Sequence, residues 1–240
     1  VEAKGKEPPA KEKDKSYIFL NGWHLMNQLA TKDLPTFLKK NINQTYHPLS
    51  SALQHANFYA HHSQSPILDI GFGLGYVAAA VIRQLKDSPI EIIAVEKKRQ
   101  ILKKISSINV PELEPEYSII KAASKKANYD KNNIKIKLIN QDARIAVKTI
   151  SKKFSTIILD GFSPSQNPEL YSLEFLSLLK ERLKHSGVIL CHSQNPIFRS
   201  ALKEISFKIA NLEQGTIASL TKDFQLEEKE AWFIFIPTLN

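Results

Sequence analysis

The sequence predicts an α/β fold in which a mostly parallel, seven-stranded sheet carries helices on both faces. Two observations support this prediction. From Pro66 onward, short runs rich in β-branched residues alternate with stretches of helical length, which is the pattern of a doubly wound sheet. The first five runs are nearly continuous in apolar residues rather than alternating, as expected for strands that are covered on both faces.

The individual elements follow from these runs and from the residues between them. Strands are predicted at 66–70, 90–96, 134–140, 155–160, 187–192, 207–212 and 231–237. The last two runs suit an antiparallel hairpin on the sheet edge. Helical spacing predicts helices at 22–30, 49–61, 76–86, 98–107 and 168–184. Asn167 and Asn195 each precede a proline and are predicted helix caps, and Gly187 is predicted to end the helix that starts at 168.

Composition divides the chain into three parts. Residues 1–15 carry Lys, Glu, Pro and Ala without apolar periodicity, so we expect a disordered charged tail. Residues 16–65 are predicted to form an N-terminal extension that packs on the catalytic domain, and residues 66–240 to form that domain. The connection at about 103–133 is longer than a plain crossover requires and is predicted to be a basic helical insert. The chain begins with Val1, so a preceding segment remains possible.

Several classes of protein are excluded by composition. The single cysteine, Cys191, rules out a disulfide framework and a multi-cysteine metal cluster. The histidines at 47, 55, 61 and 62 lack an accompanying cysteine or carboxylate in the sequence, so no metal site is predicted. No apolar run approaches the roughly 18 residues that a membrane-spanning helix needs, and the charged N-terminus has no apolar segment after it. A cytoplasmic globular protein is therefore expected.

The positive charge is regional. Residues 97–153 contain fifteen Lys or Arg and five Asp or Glu, a net of +10, whereas the whole chain carries +9. Clustered Lys and Arg attract phosphate backbones through counterion release, so a nucleic acid is a candidate partner. A Lys-rich solvated surface without a partner is the alternative. The candidates for contact with a phosphate backbone are Lys97, Lys98, Arg99, Lys103, Lys104, Lys121, Lys125 and Lys126.

A glycine-rich turn follows the first predicted strand. The spacing is G-x-G-x-G, with Gly71, Gly73 and Gly75, and Asp69 stands two residues before the first glycine. It departs from the G-x-G-x-x-G pattern of dinucleotide-binding proteins. It resembles motif I of the class I S-adenosylmethionine (SAM)-dependent methyltransferases, in which the amino-acid portion of the ligand lies over the glycine turn.

Acidic residues also follow the next two predicted strands. Glu96 ends the second strand, about 25 residues after the glycine turn, where an acid can bind the two ribose hydroxyls of an adenosine. Asp142 follows the third strand, where methyltransferases of this class often contact the adenine amine with an acid. Asp142 is equally suited to cap a helix, and the two roles are compatible. SAM binding is therefore predicted, with Asp69 and the three glycines as the other contacts.

The fourth strand ends at Asp160, which is expected in the same crevice as Asp69 and Glu96 because ligands bind at the carboxyl ends of parallel strands. The segment from Ile158, ILDGFSPSQNPELYSLEFLSLL, resembles the D-x-F-(A/S)-P-x-x-N-P-(D/E)-(L/M)-(W/Y) signature of the MnmC family of tRNA methyltransferases. The sequences GFGLGY and GVILCHSQNPIFRSALKEISFKI resemble two further elements of that family, and Tyr46-His47-Pro48 with Ala52-Leu53 is a fainter match. The chain departs from the family pattern at Gly161, Leu74, Tyr76 and residues 191–194.

The resemblance implies a Rossmann-like class I fold and SAM-dependent N-methylation of the 5-aminomethyl group of uridine or 2-thiouridine at the tRNA wobble position. It implies the stand-alone methyltransferase form, with SAM as methyl donor, no FAD and no metal, and a possible functional coupling to the enzymes that make the aminomethyl precursor. Asp160 becomes the candidate for orienting the amine and for accepting its proton. The candidate substrate-binding residues are Phe162, Tyr46, Arg199, Lys121 and Lys125.

Three other functions are compatible with parts of the pattern. A class I methyltransferase acting on a small amine or a protein would carry a similar glycine turn, but it would have no use for the regional positive charge. An aminopropyltransferase would need extra acids in the crevice for its polycationic substrate. A catalytically silent RNA-binding module would have no need of intact acids at the ends of the first, second and fourth strands.

Overall fold

The computed structural model describes residues 48–161, 164, 166–212 and 214–221 of the chain. In chain order the elements are α1 (Pro48–His62), β1 (Ile67–Ile70), α2 (Tyr76–Gln84), β2 (Ile90–Val95), α3 (Arg99–Lys104), α4 (Glu116–Lys126), β3 (Asn128–Lys131), β4 (Ile134–Ile139), α5 (Ala143–Thr149), β5 (Phe154–Leu159), α6 (Leu173–Arg182), β6 (Leu183–Cys191), α7 (Pro196–Glu204), β7 (Lys208–Leu212) and β8 (Gly215–Ser219). Short 3₁₀ turns lie at Ile105–Ser107, Pro111–Leu113 and Pro168–Tyr171.

The described strands form one eight-stranded sheet in the order β3-β4-β2-β1-β5-β6-β8-β7. Strands β4, β2, β1, β5 and β6 pair in parallel, whereas β3 and β8 pair antiparallel with their neighbours. The chain builds outward from β1 in one direction through β2 and β4 and then in the other through β5 and β6. The strand order therefore reverses at β1, and ligands of open α/β sheets bind at the carboxyl ends of the strands beside such a point.

Helices cover both faces of the sheet because consecutive strand residues point to opposite sides. In β1, Ile67 packs into a cluster with α1, α2 and α4, whereas Leu68 and Ile70 pack into a second cluster with α5, α6 and α7. In β5, Ile158 joins the first cluster and Leu159 the second. These central strands are buried on both sides, which explains why their sequences show no alternation of apolar and polar residues.

The predicted α/β class is confirmed, but the predicted set of strands needs two corrections. β3 is a strand that the sequence analysis missed, because its residues NYDK are polar and mostly exposed at the sheet edge. β8 was also missed, because its sequence GTIAS has one large apolar side chain although it is fully buried. β7 forms a hairpin with β8, and the predicted strand at 231–237 lies outside the described residues.

Helix boundaries differ from prediction around residues 167–187. The predicted single helix is a 3₁₀ turn, Pro168–Tyr171, followed by α6, and Ser172 caps α6 by accepting a hydrogen bond from the Phe175 amide. Asn167 makes no side-chain capping bond, and Gly187 lies inside β6 rather than at a helix end. The prediction for Asn195 is confirmed, since its Oδ1 accepts from two amides at the start of α7.

The first described helix is the last part of the predicted N-terminal extension. α1 packs on α2 through Ala56, Phe58 and Ala60, all buried in the same cluster. The predicted helix at 22–30 and the tail at 1–15 lie outside the described residues. Within the described ranges, no helix is long and apolar enough to cross a membrane.

Candidate active site

Three carboxylates lie on one side of the sheet at the carboxyl ends of neighbouring strands. Asp69 lies in β1, whereas Glu96 directly follows β2 and Asp160 directly follows β5. Each stands two residues after a strand residue that faces α1 and α2, namely Ile67, Ala94 and Ile158, so the two-residue period of a strand places all three acids on that face. They are 2%, 9% and 5% exposed, respectively. The register therefore gathers three buried acids around the reversal in strand order.

The glycine turn lets the ends of β1 and β5 approach each other. Gly71, Gly73 and Gly75 all have positive φ, a backbone conformation that side chains disfavour. A Cβ atom at Gly71 would lie 2.4 Å from the Asp160 carbonyl oxygen, whereas one at Gly73 would meet only the Gly71 carbonyl oxygen, at 3.6 Å. The first glycine is thus required by the fold, and the second leaves the backbone of the turn accessible.

Glu96 connects the glycine turn to the end of β2. Its Oε2 accepts a hydrogen bond from the Gly73 amide at 3.0 Å, and its Oε1 accepts one from the Lys98 amide at 2.8 Å. Asn140 supports the same backbone by donating to the Glu96 carbonyl oxygen at 2.7 Å. The carboxylate is therefore held in one orientation beside the turn.

Asp69 carries an unusual carboxylate. In the described part of the chain, neither of its side-chain oxygens has a hydrogen-bond partner, although both are buried. Burial, together with the nearby Asp160 and Glu96 carboxylates, raises the pKa of Asp69 well above its usual value. A buried acid without a partner is costly, and a bound cation would remove that cost. The site accordingly fits the α-ammonium group in the amino-acid portion of SAM.

The crevice beside these acids opens between the ends of β1, β2 and β5. Its lining includes Gly71, Glu96, Asp160, Ile101, Asp142, Ala143 and Leu170. Asp142 caps α5 by accepting from the Arg144 amide at 2.9 Å, and it forms an ion pair with the guanidinium of the same residue. The hydrogen bond from that guanidinium lowers the pKa of Asp142. The predicted capping role is confirmed.

Asp160 is held by two side chains from α1 that the sequence analysis did not select. Its Oδ1 accepts a hydrogen bond from the Tyr59 hydroxyl at 2.8 Å and lies 2.8 Å from His55 Nε2. The sequence analysis weighed His55 only as a metal ligand and did not reveal this carboxylate partner, because the fold brings together residues 105 positions apart in sequence. The i, i+4 spacing of His55 and Tyr59 places both on one face of a helix, but that spacing does not reveal what the face contacts.

The predicted substrate-binding residues have different positions. Arg199 donates hydrogen bonds to Thr216 Oγ1 at 2.9 Å and to the Gly215 carbonyl oxygen at 3.0 Å, so it links α7 to the start of β8. Lys121 lies 3.8 Å from Glu114 on the side of α4, and Lys125 is exposed on the same helix. Phe162 and Tyr46 lie outside the described residues. Among the residues that the structure describes, no group of three His, Cys, Asp or Glu is placed to bind a metal.

Comparison with known proteins identifies the class of this fold. A family model described as S-adenosyl-L-methionine-dependent methyltransferase matches residues 106–216. The crystal structure of MnmC2 from Aquifex aeolicus is 31% identical, with a TM-score of 0.56, over 70% of this chain and 56% of that one. The chain is an MnmC-like methyltransferase. The match to the family model includes Asp142, Asp160 and Arg199 of the methyltransferase.

Two curated relatives of this MnmC-like methyltransferase extend the comparison. An uncharacterized protein from Methanocaldococcus jannaschii is 30% identical over 63% of this chain and 43% of its own length. The tRNA 5-methylaminomethyl-2-thiouridine biosynthesis bifunctional protein MnmC from Burkholderia multivorans is 22% identical over 75% of this chain and 32% of its own length. The chain thus spans less than half the length of either relative.

Proposed function

We propose that this MnmC-like methyltransferase transfers a methyl group from SAM to the primary amine of 5-aminomethyl-uridine, or its 2-thio counterpart, at the wobble position of tRNA. The observation that carries the proposal is the placement of Asp160. This acid opens the signature that resembles the MnmC family, and it lies buried at the crevice beside Asp69 and Glu96. The printed name of the relative from Burkholderia multivorans, which refers to 5-methylaminomethyl-2-thiouridine in tRNA, supports the same substrate.

The proposed SAM site uses the carboxyl edge of β1, β2 and β4. Asp69 would hold the α-ammonium group of the amino-acid portion above Gly71, Gly73 and Gly75, because a cation supplies the partner that its carboxylate lacks among the described residues. Glu96 would bind the ribose hydroxyls, and Asp142 lies on the wall expected for the adenine. When bound, SAM supplies the methyl group, and the electron pair of the broken bond stays on sulfur.

Asp160 would orient the substrate amine and accept its proton. A primary alkylamine is mostly protonated at neutral pH, and only its neutral form has a lone pair for attack. Both contacts from α1 fall on Oδ1 of Asp160, so the carboxylate can meet an ammonium through Oδ2 while its orientation is fixed. Holding reactants in the correct geometry can contribute about 7–11 kcal/mol to a rate enhancement.

A basic groove between α4 and β3 would contact the tRNA backbone. The groove has a volume of about 550 Å³, and its lining includes Lys121, Lys125, Lys126 and Lys131. Phosphate contacts of this kind provide affinity without reading sequence. Of the residues predicted for substrate contact, Lys121 and Lys125 belong to this groove, whereas Arg199 is bonded to the start of β8.

The proposed reaction follows the steps that build the aminomethyl group on the uridine. The substrate uridine must already carry its aminomethyl group, so other enzymes must supply it, and the methyl transfer itself requires neither FAD nor a metal. A tRNA substrate places the proposed activity in the cytoplasm.

The decisive experiment uses SAM with a labelled methyl group and tRNA from cells that lack this protein. We expect label in a single nucleoside, identified by mass as 5-methylaminomethyl-uridine or its 2-thio form. tRNA from cells that contain the protein serves as the control and should accept little label. Label that appears only in a small amine or a protein would overturn the tRNA assignment.

A further inference from the structure

A histidine and a tyrosine on α1 form the back of the proposed methyl-transfer site. His55 and Tyr59 both meet Oδ1 of Asp160 at 2.8 Å. Tyr59 is fully buried, and its hydroxyl oxygen also accepts a hydrogen bond from the His192 amide at 2.9 Å. The carboxylate is thus bound by two groups from α1, of which the imidazole has a ring nitrogen that can accept a proton.

Titratable groups from three elements surround the His55 ring. Tyr59 contacts it from α1 itself, Asp160 from the end of β5, and His192 from the end of β6, with ring centroids 4.1 Å apart. Withdrawal of its ring from water, together with the neighbouring His55, lowers the pKa of His192 to about 4. His192 is therefore uncharged at neutral pH. A protonated His55 ring would contact Asp160 on one side and an uncharged imidazole on the other, so no second positive charge would repel it.

The chemistry of the proposed function calls for such an acceptor. N-methylation of an ammonium substrate gives a methylated ammonium product and releases one proton in each turnover. A carboxylate in contact with the ammonium stabilises it, so the amine becomes nucleophilic only when the proton moves away. Asp160 is 5% exposed, which leaves little of it in contact with water as a route for that proton.

We propose that His55 receives the proton that Asp160 removes from the substrate amine, an assignment that rests on the proposed function. Before the reaction, Asp160 and His55 share one proton across the 2.8 Å contact between Oδ1 and Nε2, and the His55 ring carries its other hydrogen on Nδ1. The ammonium gives its proton to Oδ2 and becomes a neutral amine, while the shared proton moves fully to Nε2, so Asp160 keeps one proton and His55 becomes an imidazolium. The amine lone pair forms the new N–C bond, and the imidazolium returns its proton to solvent after transfer.

The variant His55→Gln tests this role, because glutamine can still form a hydrogen bond with Asp160 but cannot take up a proton. At pH 7 we expect its single-turnover rate on aminomethyl-uridine tRNA to fall about 10²-fold. The deficit should shrink towards about pH 9.5, since a growing share of an amine with an ordinary pKa of about 10.4 is then already neutral. The matched control His61→Gln, at an exposed position of the same helix, should keep the wild-type pH profile.

Two further measurements separate proton transfer from support of the fold. If His55 and Asp160 share one path, the double variant with Asp160→Asn should be no slower than the slower single variant. Tyr59→Phe removes the hydroxyl donor to Asp160 but leaves His55, so its deficit should not depend on pH. The NMR chemical shifts of the His55 ring nitrogens should differ between the wild type and Asp160→Asn, whereas those of His61 should be the same in both.

A deficit of His55→Gln that is equal at every pH, or a full rate, would overturn the assignment of His55, as would ring signals that ignore Asp160→Asn. If the wild type methylates a small amine rather than tRNA, the proposed function fails. The same pH comparison with that amine then tests His55 separately.

Discussion

The hydroxyl of Tyr117 on α4 donates a hydrogen bond to the carbonyl oxygen of Leu74, inside the glycine turn, at 2.9 Å. The same helix places Ile120 against the turn, since a Cβ atom at Gly75 would lie 2.5 Å from its Cγ2. Helix α4, which lies in the predicted basic insert, is therefore packed directly on the segment that is proposed to hold SAM. The face of α4 that is proposed to bind tRNA and the face that supports the turn belong to one rigid helix.

Tyr117→Phe should weaken SAM binding several-fold with little change in the fold. Tyr117 is fully buried, and the loss of its hydroxyl leaves the Leu74 carbonyl without this donor, at a cost of about 1–3 kcal/mol. Calorimetric titration with SAM checks the affinity. Tyr129→Phe, in β3 of the same insert, is the matched control and should leave the affinity unchanged.

Gly71→Ala should destabilise the protein far more than Gly73→Ala. The new Cβ atom would lie 2.4 Å from the backbone oxygen of Asp160, so β1 and β5 would have to move apart. At Gly73 the nearest atom is 3.6 Å away, which leaves mainly the conformational cost of about 1–2 kcal/mol. Urea unfolding of the two variants makes the comparison, and equal losses of stability would contradict it.

Asp69→Asn should weaken SAM binding about 10- to 100-fold, as expected for a lost hydrogen bond to a charged group of about 1.5–3 kcal/mol. The same change should alter how stability depends on pH. The pKa of Asp69 is raised in the folded state, so the folded protein binds more protons than the unfolded chain and loses stability as pH rises above the ordinary value of 3.8.

The stability curves provide the check on this sign. In the absence of ligand, the free energy of unfolding of the wild type should fall relative to that of Asp69→Asn as pH rises from about 4 towards neutrality. At neutral pH and without ligand, the wild type should have the lower free energy of unfolding of the two proteins. Saturating SAM should give it the higher one, because only the wild type gains a partner for the carboxylate. Parallel curves would show that Asp69 does not titrate in this window.

The triple change of Lys121, Lys125 and Lys126 to Glu should reduce tRNA methylation and its sensitivity to salt. Each lost phosphate contact lowers the slope of log affinity against log salt by about 0.7–0.9. A control with the same change in net charge replaces Lys148, Lys153 and Lys203, which are exposed. An equal loss in both triple variants would indicate an effect of net charge rather than of the groove.

The central strands and the glycine turn were predictable because their patterns are local. A strand covered on both faces is mostly apolar and shows no alternation, as in β1 and β5, and the turn needs glycines at fixed spacing whatever lies around it. β3 and β8 could not be predicted from a local pattern. β3 is a polar edge strand, and β8 is built from small residues whose burial depends on the neighbours they meet.

The amino-acid order alone determined which acids lie at the carboxyl ends of β1, β2 and β5, and therefore that Asp69, Glu96 and Asp160 gather at one edge. The contacts of these acids were decided by the folded chain. His55 reaches Asp160 across 105 residues, and Asp69 keeps a carboxylate that no described residue satisfies. Periodicity reports which way a side chain points within its own element, whereas the group it meets depends on how separate elements pack.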